Sequence, residues 1–378
     1  MGDNPTKHAR YDLIEELEAA VAHKGMRDRA EMFRRVAELF ALGSAGFEPE
    51  QVRLFDDVMG RLEGEVDVGA RADTSRRLAG IANAPPMIIR TLALDPSIDV
   101  AGPVLSQSDQ VDEDTLIISA KTRGQEHLLA ISRRRTLSEA VTDILVERGD
   151  HDVTVSVAAN HGAKFSETSY ATLVKRSEND EELAVRVWLR PEIPRQHLLT
   201  LLAAASGAVL SRLEAADHRK ADLFNDMIAH ARDQIEAQVR LRSTGYVAAR
   251  CRLEALKEEG KLDRENLFEF AHARKFDETT IALSLLSDLP VGLIERAIAQ
   301  DRSEQILVLG RATGLDWRIT REILQMQAAA GYKHDLAECC ESFAKLQPET
   351  AKKALTFYRL REEAVMAPTR RNRAGAAG

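Results

Sequence analysis

Val111-Asp112-Glu113, Leu137-Ser138-Glu139, Phe165-Ser166-Glu167 and Ile193-Pro194-Arg195 are four versions of one opening, an apolar residue followed by a residue that caps or begins a helix. The steps between their apolar residues are 26, 28 and 28. The pattern returns as Leu262-Asp263, Leu289-Pro290 and Leu315-Asp316, with steps of 27 and 26. A fixed period of this length has room for two short helices per unit. A two-helix unit cannot bury its own apolar face, so neighbours must stack into a continuous core.

Each unit of the central block also starts its second helix on schedule, near Ser97, Gly124, Asp152 and Asn179 or Asp180. Leu116-Ile117-Ile118, Val141 with Ile144 and Leu145, Val153 with Val157, and Leu183 with Val187 and Leu189 supply the apolar stripe. The sequence therefore predicts an all-α superhelix, a HEAT-like solenoid of roughly 28-residue helical hairpins, more compact than the roughly 40–47 residues usual for such repeats.

Outward from that block, residues 1–83 read as four helices, about Tyr11–Ala22, Arg27–Leu42, Pro49–Leu62 and Ala70–Ile81, separated by Gly25, Gly43–Gly46 and Gly64. Residues 84–206 form the repeat block. Residues 207–243 read as one long connecting helix, because Ala208–Arg242 contains neither Gly nor Pro; the polar patch Asp217–Lys220 offers the alternative of a hairpin turn. A second helical repeat block covers 244–363. The basic, apolar-poor tail 364–378 reads as disordered.

Composition suits helices. Of 378 residues 44% are hydrophobic, 30% charged and only 5% aromatic, a mixture rich in helix formers and poor in strand formers. With 52 basic against 60 acidic side chains the net charge is −8, which argues against nonspecific nucleic-acid binding. Cys251, Cys339 and Cys340 lack zinc spacing and read as small core residues in a reducing compartment. No apolar stretch approaches the roughly 20 residues that span a bilayer. A cytoplasmic location is the expectation.

Chemistry-bearing motifs are few. Gly310-Arg311-Ala312-Thr313-Gly314 lacks the strand and the Lys-Ser or Lys-Thr of a phosphate loop and reads as a helix end. Asn160-His161-Gly162 reads as a helix terminus with a left-handed glycine. Trp188 and Trp317 read as core residues, with a partner anchor as the alternative. No catalytic, cofactor or metal residue is assigned.

What remains is charge. Lys121, Arg148 and Lys175 recur every 27 residues near the ends of first helices, and Arg134 and Arg190 near the ends of second helices. Basic residues at helix C-termini, with Glu113, Glu139 and Glu167 at the starts, are what the helix dipole favours, by about 0.3–1 kcal/mol each. The functional reading makes Lys121, Arg133, Arg134, Arg135, Arg148, Lys175 and Arg190 an edge for an acidic or phosphorylated protein partner.

The runs Leu94–Leu105, Leu137–Leu145 and Val157–Ala163 resemble an alphaproteobacterial family classed as a domain of unknown function, whose central region is similar to HEAT-like and leucine-rich-variant repeats. The resemblance implies a cytoplasmic bacterial helical-repeat protein and transfers no catalytic residue. Together these readings predict a noncatalytic scaffold that binds a protein partner, with a homodimer through the long helix as a further expectation. The alternative is a DNA-binding enzyme of the alkyl-base glycosylase type, with Trp188 and Asp180 or Glu192 at its centre.

Overall fold

The structure, a computed structural model, describes residues 26–64, 66–216, 221–300, 302–329 and 334–357. The helix read over Tyr11–Ala22, the patch Asp217–Lys220 and the basic tail lie outside these residues. Among the described residues there are helices and no strand; the one sheet-like feature is an isolated bridge between Leu137 and Ala163. The fold is all-α, a superhelix of paired helices. The chain divides into two compact units, Met1–Ser169 and Tyr170–Gly378.

The first unit contains α1 (Met26–Gly43), α2 (Pro49–Glu63), α3 (Val68–Leu78), α4 (Pro86–Ala93), α5 (Ile98–Gln107), α6 (Glu113–Thr122), α7 (Gln125–Ser132), α8 (Glu139–Arg148) and α9 (His151–Ala159). Helix α10 (Glu167–Arg176) spans the division. Odd-numbered helices pack in succession, α1 on α3, α3 on α5, α5 on α7 and α7 on α9, and α2, α4, α6 and α8 form a second row. Two layers result. Phe33, Phe40, Ile89, Leu105, Leu128, Ile131 and Leu145 lie fully buried among them.

The recurring opening does the local work expected of it. Val111, Leu137 and Phe165 are buried. Asp112 accepts a hydrogen bond from the Thr115 amide at 2.7 Å, and Asp150 from that of Val153 at 3.0 Å. Each bond satisfies an amide that the helix leaves orphaned. Second helices are capped at Ser97, Gly124, Asp150 and Asp180, two residues from the expected start at Asp152 and in register elsewhere.

Long side chains then tie each pair of helices to the pair before it. Gln110 donates to the carbonyl of Ala82, Arg134 to those of Leu105 and Ser108, and Asn160 to those of Ser132 and Arg134, all at 2.5–2.9 Å. Along the other edge Arg123 donates to Leu94 and Arg148 to Ala120. Every one of these bonds reaches backward by 26–29 residues and occupies a carbonyl at or just beyond a helix end.

Gly162 corrects an expectation. Its φ is not positive, so left-handed freedom is not why it is glycine. A Cβ there would stand 1.8 Å from the Arg135 carbonyl oxygen, while the Gly162 carbonyl accepts from the Leu137 amide at 3.1 Å. Close backbone approach between neighbouring pairs excludes a side chain. We expect Gly162→Ala to destabilise the first unit by about 1–3 kcal/mol, the cost of overpacking a closed contact; a thermal midpoint within 1 °C of wild type would refute this.

The second unit contains α11 (Glu181–Trp188), α12 (Arg195–Ala216), α13 (Ala221–Arg242), α14 (Thr244–Glu258), α15 (Arg264–His272), α16 (Phe276–Ser287), α17 (Val291–Ala299), α18 (Ser303–Ala312), α19 (Trp317–Ala329) and α20 (Leu336–Lys345). Its core runs through Leu253, Leu267, Ala271, Ala282, Ile294, Ile298 and Leu324. The single connecting helix read over 207–243 is not what forms. Helices α12 and α13 pack against each other, which one straight helix cannot do, so the hairpin alternative holds. Absence of Gly and Pro permits a long helix without enforcing one.

Cys251 is exposed, contrary to the core reading, whereas Cys339 is buried and Cys340 half-buried. No described helix is long and apolar enough to cross a membrane.

Candidate functional site

The basic edge proposed from spacing is partly used up by the fold. Arg134 spends its guanidinium on the two carbonyls of the preceding pair, and burial pushes its pKa down, opposed by the charge of Asp109. Arg148 donates to Ala120 and Arg123 carbonyls. Arg190 is buried, 3.6 Å from Glu192 and hydrogen-bonded to Tyr170. Arg134 and Arg148 are drawn to these carbonyls because helix C-termini carry unsatisfied acceptors and partial negative charge, whereas Arg190 is held by Glu192 and Tyr170. Lys121, Arg133, Arg135 and Lys175 are exposed. Lys121, Arg133 and Arg135 belong to the first unit and Lys175 to the second.

Helix α11 carries the other surface feature. Leu183 and Val187 face inward and are buried, while Val185, Trp188 and Leu189 are 56%, 38% and 65% exposed. Spacings of three and four residues put these three side chains on one face. Arg186 lies beside them, 3.7 Å from Glu182. Trp188 therefore departs from the core reading, whereas Trp317 is half-buried against Phe343, with ring centroids 5.6 Å apart. The sequence pattern hid this because the helix is apolar on both faces, and periodicity alone does not say which face is covered.

Carboxylates near Trp188 are engaged. Asp180 accepts from the Leu183 amide at 3.0 Å as the cap of α11, and Glu192 pairs with Arg190. Among the described residues no three His, Cys, Asp or Glu side chains gather as a metal site.

A buried ionic cluster fixes the root of the α12–α13 hairpin. Arg195 on α12 donates to Asp277 on α16 at 2.7 Å and to Glu295 on α17 at 2.6 Å. Arg240 on α13 reaches the second oxygen of Glu295 at 2.6 Å. Beside them Arg296 binds Asp233 at 2.8 Å and Glu236 at 2.9 Å. Glu295 is fully buried. Arg195 lies over the rings of Tyr246 and Phe276, 4.6 and 5.4 Å from their centroids, a cation–π arrangement. Burial opposes its charge, but Glu295 and Asp277 outweigh that and raise its pKa. Partners 82 and 100 residues away in sequence gave no spacing signal to read.

Two residues along α12, His197 is buried and stacks on Tyr170, centroids 6.0 Å apart. Neither ring nitrogen has a hydrogen-bond partner. Burial lowers its pKa to about 4, so the ring is a neutral packing element.

No curated protein and no solved structure matches the chain. Residues 100–356 match the model of a family described as uncharacterised protein conserved in bacteria, DUF2336, and that span takes in more than half of the chain, including most of the second compact unit and the end of the first. The chain is a member of that bacterial family.

Proposed function

We propose that the protein is a noncatalytic, cytoplasmic scaffold of the HEAT-like solenoid type, binding a partner protein through the exposed face of α11. The observation that carries the reading is Val185, Trp188 and Leu189 standing in solvent on a helix whose opposite face is packed. Tryptophan supplies a large, rigid contact surface and is enriched among residues that dominate binding energy. The partner this face suits is an amphipathic segment with its own apolar stripe. Exposed Lys175, in the same unit as α11, is a secondary contact for acidic residues of such a partner, contributing more to encounter rate than to affinity.

The test is co-purification of tagged full-length protein with bound proteins, comparing wild type with Trp188→Ala/Leu189→Asp. Loss of a specific partner, with urea unfolding shifted by less than about 0.5 kcal/mol as expected for surface changes, supports the reading. Equal retention by both proteins removes α11 as the interface. Salt-dependent binding to duplex DNA would instead favour a nucleic-acid function.

A further inference from the structure

His272 closes α15 with its side chain 71% exposed, yet its ring is not free to turn. Nδ1 lies 3.1 Å from an oxygen of Glu322 on α19, a carboxyl only 5% exposed. One turn earlier on α15 the Phe268 ring stacks with the imidazole, centroids 5.8 Å and planes 12° apart. A surface histidine with a fixed plane and a fixed edge toward solvent is prepared for contact with something outside the chain.

The backbone shares in this fixing. Arg274 has a φ of 58°, a left-handed conformation that at a helix end usually falls to glycine. The Lys275 amide donates to the Phe270 carbonyl at 3.0 Å and the Arg274 amide to that of Ala271 at 3.1 Å, the pair of bonds that ends a helix in this way. Glycine would close the helix equally well but lacks the reach of Arg274, whose guanidinium donates to the Gln325 carbonyl on α19. The end of α15 that carries His272 is therefore tied to the stretch of α19 that carries Glu322.

Glu322 is ionised. Burial opposes its charge, but hydrogen bonds from Arg321, at 2.8 and 3.2 Å, and from His272 outweigh that and hold its pKa below the ordinary glutamate value. A carboxylate only accepts hydrogen bonds, so Nδ1 carries the proton. The lone pair of the neutral ring is then on Nε2, at the edge away from Glu322. A second guanidinium, that of Arg318, lies 4.1 Å over the Phe268 ring and pairs with Glu265 at 2.5 Å.

We propose that His272 is a phosphoryl acceptor, taking the group on Nε2 from an N–P donor, a phosphohistidine of another protein. The Nε2 lone pair attacks phosphorus, the P–N bond to the donor ring breaks, and the donor nitrogen leaves with the electron pair. The imidazolium formed keeps its Nδ1 proton against Glu322, so the step moves no proton, and Glu322 acts as a positioning residue. One P–N bond replaces another, so the exchange needs no further energy source. Arg321 and Arg318 put positive charge around the ring. Both are already paired, and the end of α15 carries partial negative charge, so the group is held loosely and is suited to being passed on. This role is additional to the scaffold reading and does not rest on it.

Phosphoramidate, the smallest donor of this class, with ammonia as its leaving group, tests the assignment on the full chain. Mass spectrometry of peptides kept alkaline, where N–P bonds survive, locates the phosphate, and phosphorus NMR tells which ring nitrogen holds it. Wild type is expected to be phosphorylated at His272 at least about 10-fold faster than at the exposed His161, and on Nε2 alone. Glu322→Gln, with helical circular dichroism unchanged, is expected to lose that lead and to give a mixture of Nδ1 and Nε2 products, which a purely structural carboxylate would not cause. Arg274→Gly suits the left-handed turn, frees α15 from Gln325, and is expected to lower the rate with the fold intact. Phosphorylation of His272 no faster than that of His161 overturns the proposal. Wild-type rate and wild-type isomer in both variants overturn the positioning by Glu322 and Arg274.

Discussion

Replacing Arg195 by methionine is expected to cost the second unit about 3–5 kcal/mol, the usual penalty for removing one partner of a buried ion pair. Glu295 is fully buried and keeps only Arg240 in that variant, while Asp277 loses its 2.7 Å contact. The rings of Tyr246 and Phe276 lose the cation between them. The paired variant Arg195→Met/Glu295→Met removes the stranded charge as well, and should recover at least half of the loss, since well-packed apolar replacements of buried ion pairs are often tolerated. Urea unfolding followed by tryptophan fluorescence reads this unit directly, because Trp188 and Trp317 both lie in it. A single variant within 1 kcal/mol of wild type would show that the cluster contributes little.

The second large effect is a pH dependence centred on His197. Its folded-state pKa is about 4, against 6.5 for the free side chain, with burial as the cause. Below pH 6.5 the unfolded chain takes up a proton that the folded chain refuses, so this residue destabilises the fold progressively down to about pH 4. The difference of 2.5 pH units amounts to about 3 kcal/mol. Burial pushes Asp277 and Glu236 the other way, raising their pKa values, so wild type alone mixes opposing slopes. His197→Phe isolates the term. It keeps a ring against Tyr170 and removes two unpartnered nitrogens, so its advantage over wild type should widen by about 3 kcal/mol between pH 7 and pH 4. Parallel stability curves for the two proteins would exclude His197 as the source.

Much of the first unit was legible because its helices are short and regularly opened. An apolar residue followed by Asp112 or Ser166 sets both a side-chain cap and a buried contact, whereas Ser138 holds the cap position without a capping bond and donates to Glu113 instead. The bonds from Arg134, Arg148 and Asn160 were visible only as spacing. Cations near helix C-termini satisfy carbonyls and attract anions equally well, and sequence does not distinguish the two until the neighbouring carbonyl is placed. The hairpin was not legible, since Ala, Leu, Arg and Glu favour helix on either side of Asp217–Lys220 without fixing its direction. Trp188 escaped for a related reason: its short helix carries apolar residues on two faces, Leu183 and Val187 on one and Val185 and Trp188 on the other, and the pattern does not say which is covered.

The backward-reaching bonds give the first unit a direction. Gln110, Arg123, Arg134, Arg148 and Asn160 each donate to an earlier helix pair. As the chain leaves the ribosome, each new pair finds its acceptors already formed, and the waiting carbonyls are satisfied by water until it arrives. Other bonds run the opposite way, from Ser75 to the Val100 carbonyl, from Gln125 to that of Arg148 and from Thr142 to that of Lys164, so a cut between pairs strands hydrogen-bonding groups on both sides of it, and the stack gains or loses length in whole steps.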